Sequence, residues 1–170
     1  MIRKNYLFWG ATFLGLLLDR VTKLWVVTSF DLTTPPQTLA LIPGVFHFTF
    51  VINTGAAFSL FQGEIWLRWI SLGVSLGLVY TGLFVKNLSP WDQVGLGFLL
   101  SGAAGNGLDR FLEGHVVDFL DFRLIQFPVF NIADVFINLG LICLLIGTWI
   151  TPSKKRNSKR PSPPHPPSDQ

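Results

Sequence analysis

Residues 94–112 read VGLGFLLSGAAGNGLDRFL. As a helix this stretch is just able to cross the hydrocarbon of a bilayer, which takes about 20 residues. It reaches that length only by including Asp109 and Arg110. Ionisable side chains at membrane depth are costly unless paired or wetted, so by default they mark a functional site. Three more apolar stretches flank this one, at 6–27, 65–85 and 129–150. The first carries Asp19, Arg20 and Lys23 in its second half, the second Arg68 near its start, and the fourth only Asp134. Gly73, Gly77, Gly102, Ala103, Ala104 and Gly105 lie inside the spans, as suits close helix packing in lipid. The expected fold is an all-α membrane protein of four transmembrane helices.

Composition agrees. Of 170 residues, 49% are hydrophobic and 14% charged, and the mean hydropathy is +0.47. A soluble domain has about 25% charged residues, so lipid is the expected solvent. The single cysteine, Cys143, lies in an apolar run and reads as an inert, buried thiol. The first stretch is read as retained rather than as a cleaved leader, because Asp19, Arg20 and Lys23 follow its apolar core. Residues 1–152 then form one membrane domain. Residues 153–170 form a basic, Pro/Ser-rich tail expected to be disordered.

Charge asymmetry sets the orientation. Arg3, Lys4, Lys86, Lys154, Lys155, Arg156, Lys159 and Arg160, eight of the 13 basic residues, fall on one side of a four-span arrangement. The positive-inside rule makes that side, with both termini, cytoplasmic. The tail's charge serves topology rather than nucleic-acid binding. The opposite loops carry Asp31, Glu64, Glu113, Asp118 and Asp121. Within them Val45–Ile52 is rich in β-branched and aromatic residues and reads as a strand, with Asn53-Thr54-Gly55 as a turn. It forms a small extracytoplasmic platform, and the loop 112–128 is a candidate lid.

Five polar clusters therefore fall at one level, near the outer boundary of the membrane: Asp19-Arg20-Val21-Thr22-Lys23, Asn53-Thr54-Gly55-Ala56-Ala57-Phe58, Gly105-Asn106-Gly107-Leu108-Asp109-Arg110, Val116-Val117-Asp118-Phe119 and Phe130-Asn131-Ile132-Ala133-Asp134. Each also has a plain structural reading. Asp19 and Lys23 are four apart on a helix and neutralise each other. Asn106 and Arg110 share a face, and Asp109 would stay ionised beside Arg110. Asn131 and Asp134 suit an N-cap with an acid in the first turn. Gly55 allows a backbone to approach a ligand closely. His47 and His115 are isolated and His165 lies in the tail, so neither metal nor cofactor is expected.

In this order the clusters closely resemble the lipoprotein signal peptidase (signal peptidase II) family, aspartyl proteases of bacterial membranes. The resemblance runs from Asp19 to about Gly140 and rests on Asn-Thr-Gly-Ala-Ala-Phe, Gly-Asn-x-x-Asp-Arg, Val-Val-Asp-Phe and Phe-Asn-x-Ala-Asp. It implies a plasma-membrane endopeptidase that cuts a prolipoprotein just before its diacylglyceryl-modified cysteine. It also implies Asp118 and Asp134 as the catalytic dyad. Asn53, Gly55, Asn106, Arg110 and Asn131 are then expected to hold substrate or orient the dyad, with Asp19, Lys23 and Asp109 as structural polar groups. The residues by themselves do not choose between Asp118 and Asp121; the resemblance does. Prolipoprotein and membrane lipid are the expected partners, and a monomer the expected state. Val135 departs from the family's frequent small hydroxyl residue, which puts a hydrogen bond to the dyad in doubt. The Pro-rich tail lies outside the resemblance.

Two other readings compete. An ion-coupled carrier also uses intramembrane Asp and Arg, but it would show internal repeats and a site near the midplane. A non-enzymatic subunit could use the same charges to hold a partner.

Overall fold

The computed structural model describes residues 5–55, 65–125 and 127–150. Ala56, Ala57, Phe58, Glu64, the N-terminal basic pair Arg3-Lys4 and the tail from 153 lie outside the described residues. Among the described residues, four helices, α1 (Tyr6–Ser29), α2 (Trp66–Phe84), α3 (Pro90–Leu112) and α4 (Ile132–Ile150), are accompanied by three strands, β1 (Thr38–Ile42), β2 (Phe46–Asn53) and β3 (Val116–Phe122). The strands form one antiparallel sheet in the order β1-β2-β3. The chain is thus mostly helical with a small antiparallel sheet, where the sequence leads to helices carrying a small β-rich platform.

The helix boundaries differ from expectation for local reasons. α3 begins at Pro90, four residues early, because Ser89 and Asp92 form a reciprocal capping box around a proline in the first turn. α4 begins at Ile132, three residues late, because Phe130 is bonded to Leu120 in both directions, at 3.0 and 2.7 Å, and so remains extended. Cys143 of α4 is half-buried rather than fully enclosed. Among the described residues two helices, α2 and α4, are long and apolar enough to cross a membrane on length and composition alone. The other two expected spans are long enough, at 24 and 23 residues, but not apolar enough. Asp19, Arg20 and Lys23 interrupt α1, and glycines and polar groups dilute α3.

α3 is the central helix and packs against α1, α2 and α4. It can approach them closely because of its glycines. A Cβ on Gly102 would meet the Ala133 carbonyl, and one on Gly105 would lie 2.7 Å from Asp19 Oδ2. The second contact seats the Asp19 carboxylate against α3.

The sheet covers one end of the bundle. Val26 of α1 packs with Phe50, Val117, Phe119 and Leu120, and Phe130, Ile132 and Val135 close this cluster from the α4 side. Trp25 of α1 meets Phe48 edge-on at 5.3 Å. This apolar seam and the Leu120–Phe130 bridge fix β3 relative to the start of α4. The expected lid at 112–128 therefore contains a buried strand, Val116–Phe122.

Candidate active site

Asp118 is buried in β3, 3% exposed, opposite Val51 of β2. Its Oδ2 accepts from Asn53 Nδ2 at 2.8 Å, and its Oδ1 accepts from Asn131 Nδ2 at 2.7 Å. Asn53 is held in turn, since its Oδ1 accepts from the Gly55 backbone N–H at 2.9 Å. Asp134 sits in the first turn of α4. Its Oδ1 accepts from Asn106 Nδ2 at 2.8 Å and its Oδ2 from the Asn131 backbone N–H at 3.1 Å.

Asn131 joins the two acids. Its Oδ1 accepts from the Asp134 backbone N–H at 3.1 Å, so Asn131 and Asp134 cap the helix reciprocally, satisfying donors that a helix start leaves free. Its side-chain amide reaches both Asp118 and Asn106, the latter at 3.0 Å. The capping expected from sequence and the joining of the two acids thus share one side chain.

The buried charges form a cluster behind Asn106. Lys23 lies 2.9 Å from Asp19 and 2.6 Å from Asp109, and donates to Asn106 Oδ1 at 3.0 Å. Arg20 bridges Asp19 at 2.7 Å and Asp109 at 2.6 Å, and donates to the Gly105 carbonyl at 3.1 Å. Asp109 therefore pairs with Arg20 and Lys23, not with its sequence neighbour Arg110. Helix geometry explains this: adjacent residues point about 100° apart, whereas α1 lies directly across from Asp109. Arg110 instead donates to the Asn106 and Gly55 carbonyls, at 3.3 and 3.0 Å. Sequence reasoning assigns Arg20 no role of its own. The clue is charge balance, since buried Asp19 and Asp109 need two cations and Lys23 supplies one.

A cavity of about 720 Å³ opens onto these groups. Asn53, Asn106, Arg110, Asp118, Asn131 and Asp134 line it together with an apolar wall that includes Val51, Phe127, Phe130, Ile137 and Leu139. Apart from Phe130, which opens the Phe-Asn-x-Ala-Asp motif, the apolar wall and Asn138 are not singled out by the sequence as site residues. Val135 lines the cavity and also packs into the apolar seam. Among the described residues, no group of three His, Cys, Asp or Glu could hold a metal ion.

Asp121 lies elsewhere. It pairs across the sheet with His47 and accepts from Thr49 at 2.6 Å and Arg123 at 2.8 Å. The environments of Asp118 and Asp121 push their protons in opposite directions. Burial raises Asp118 from the ordinary 3.8 to about 6; Asn53 opposes the rise, the charge of Asp134 adds to it, and Asn131 and Lys23 oppose it. Burial would also raise Asp121, but the hydrogen bonds from Arg123 and Thr49 outweigh it and hold the carboxylate below its usual range. Asp121→Asn is accordingly expected to leave kcat within about twofold of wild type, measured by single-turnover cleavage; a loss beyond about tenfold would place Asp121 in the reaction.

The Signal peptidase (SPase) II family model matches residues 11–150. The chain is 64% identical to a lipoprotein signal peptidase of Cyanothece sp., over 98% of this chain and 97% of that protein. It is 62% identical to a lipoprotein signal peptidase of Thermosynechococcus vestitus, over 86% and 93% respectively. Among solved structures it resembles a bacterial membrane enzyme determined by the in meso method, with a TM-score of 0.75 and 30% identity over 88% of this chain and 92% of that one.

Proposed function

This chain belongs to the signal peptidase II family, and on that premise we propose that Asp118 and Asp134 are its catalytic dyad. The enzyme is a peptidase of lipoprotein maturation that removes signal peptides from prolipoproteins. The ion-coupled carrier is without support. The observation that carries the dyad is the pair of carboxylates, Asp118 buried and Asp134 half-buried, facing one cavity and tied through a single asparagine.

Two carboxylates held this way share one proton, because the second ionisation works against the charge left by the first. The ionised member takes a proton from a water whose oxygen attacks the scissile carbonyl carbon. The protonated member gives its proton to the carbonyl oxygen. As the tetrahedral intermediate collapses, one of its hydroxyls returns its proton to the ionised member while the carbonyl re-forms, the C–N bond breaks, and the leaving nitrogen takes a proton from the other member, so that the dyad again holds one proton. Arg110 and Asn53 stand at the cavity wall as donors for the substrate backbone.

The substrate completes the proposal. A signal peptide is an apolar helix, and the apolar wall of the cavity suits one entering sideways from the bilayer. Cleavage falls before the diacylglyceryl-modified cysteine, which becomes the new N-terminus. All four helices span the bilayer in this reading. The cations of α1, Arg20 and Lys23, are paired with Asp19 of the same helix and Asp109 of α3, which offsets the cost of placing these charges in the membrane. Both termini are cytoplasmic, the sheet and the dyad lie near the extracytoplasmic face of the plasma membrane, residues 1–152 form the peptidase, and a monomer suffices.

The test is a cleavage assay on a diacylglyceryl-modified prolipoprotein. Mass spectrometry should find the lipidated cysteine at the product's N-terminus, and no product would overturn the proposal. The pH profile adds a second check. With Asp118 at about 6, kcat/KM should be bell-shaped, with a basic limb beginning near 6 as the shared proton is lost. The basic limb of kcat should lie higher, because bound substrate excludes water and disfavours the second negative charge. A profile flat from about pH 4 to 9 would count against a shared proton.

A further inference from the structure

By its spacing Lys23 is the helical partner of Asp19, but its contacts extend further. An ammonium has three protons and no lone pair. Here the three are directed at Asp19, Asp109 and Asn106, and the residue is 4% exposed. Facing a group that only donates, Asn106 must present its Oδ1. Its Nδ2 is thereby turned to Asp134. The same Oδ1 accepts from Asn131 Nδ2, which requires Asn131 to present nitrogen on that side and oxygen to the start of α4. The amide of Asn131 then also gives its second N–H to Asp118.

We propose that Lys23 is a positioning residue that locks the orientation of the Asn106 and Asn131 amides, so that both carboxylates of the dyad face N–H donors throughout the reaction cycle. This rests on the dyad reading above. The lock matters because the dyad changes character during turnover. An ionised carboxylate itself favours a donating Asn106, but a protonated one carries an O–H and could equally donate to a turned amide oxygen. The proton would then be held by an asparagine rather than offered to substrate. Lys23 remains a donor in both states, so a turned Asn106 would set N–H against N–H. The proton is left on carboxyl lone pairs that the asparagines do not occupy. Asp19, Arg20 and Asp109 hold Lys23 in place and balance its charge.

The test uses the full-length enzyme in detergent or lipid. Asp19→Asn/Lys23→Met removes the donor while leaving the buried cluster balanced, with Arg20 against Asp109. Expected are a fall in kcat of about 10- to 100-fold and KM within about twofold. The basic limb of the pH profile should also move to higher pH. The charged groups facing the dyad are Lys23 from α1 and Arg110 from α3, with Asp109 beside Arg110. Of these, Lys23 opposes the upward push on Asp118 and is lost in the variant. Wild-type kcat, or a fall in kcat with an unmoved limb, would overturn the lock.

Should the variant fail to fold, the wild type supplies the answer. Nuclear Overhauser contacts from the Asn106 side-chain amide protons should reach the Asp134 side chain rather than the Lys23 Hε protons, at pH values on both sides of about 6. Contacts to Lys23 Hε, or an exchange between patterns with pH, would overturn the proposal. Asp118→Asn and Asp134→Asn run in parallel separate the two readings. If these are active, the dyad itself fails; if they are inactive and the Lys23 double variant is not impaired, only the lock fails.

Discussion

Asp118→Asn and Asp134→Asn should each lower kcat for prolipoprotein cleavage by about 1,000-fold or more, with KM little changed. General acid–base transfer contributes about 10²- to 10⁴-fold, and each acid serves in both halves of the reaction, so one substitution removes more than one transfer. Because the pair acts as a unit, the double variant should be no worse than the poorer single one within about tenfold. Single-turnover measurement on lipidated substrate decides this. Retention of more than a tenth of wild-type kcat by either variant would remove that residue from the dyad.

The Asp118 variant carries a second signature, in stability. The folded chain holds Asp118 protonated up to about pH 6, while the unfolded chain ionises it near 3.8. The group's contribution to stability is therefore fully present below the unfolded value and is lost as the pH rises through about 6. Asp118→Asn should flatten this decline in thermal unfolding between about pH 4 and 6. An unchanged slope would show that Asp118 titrates normally.

Asn131→Ala is the second large effect, and it acts on fold and site together. The side chain is fully buried, accepts from the Asp134 backbone N–H, and donates to Asp118 and Asn106. Losing the cap costs about 1 kcal/mol. Asn106 Oδ1 keeps its bond from Lys23, so Asp118 is the buried partner left unmatched, which adds about 1–3 kcal/mol, for a loss of about 2–4 kcal/mol in all. We expect kcat to fall by about 100-fold as well, since Asp118 loses one of its two donors. Asn131→Ser separates the two roles, because serine can cap but cannot span both Asp118 and Asn106. It should recover about 1 kcal/mol of stability with little recovery of kcat. Recovery of both would make Asn131 a cap and nothing more.

Much of this is legible in the chain. The Val45–Ile52 strand appears as Phe46–Asn53, because β-branched and aromatic side chains write a local preference into the sequence. All four apolar stretches are helices. β1 carries no such signal, since Thr38–Ile42 is exposed along its length and forms a strand only because β2 supplies its partners. β3 reads as a loop in the sequence. Every residue from Val116 to Asp121 is buried, on both faces of the strand, so polar and apolar residues do not alternate there.

Read without coordinates, the chain already declares itself lipid-solvated, with its costly polar groups gathered at a few points whose order closely resembles one peptidase family. Burial cost sets that pattern, and it acts on every residue wherever its neighbours come from. Which acid meets which partner is a matter of packing. Asp118 faces the cavity while Asp121, three residues on, faces Thr49 and Arg123. Asp109 turns from Arg110 to Arg20 and Lys23. Hydrogen bonds and ion pairs act over a few ångströms, and those distances exist only once α1, α3, α4 and the sheet have packed.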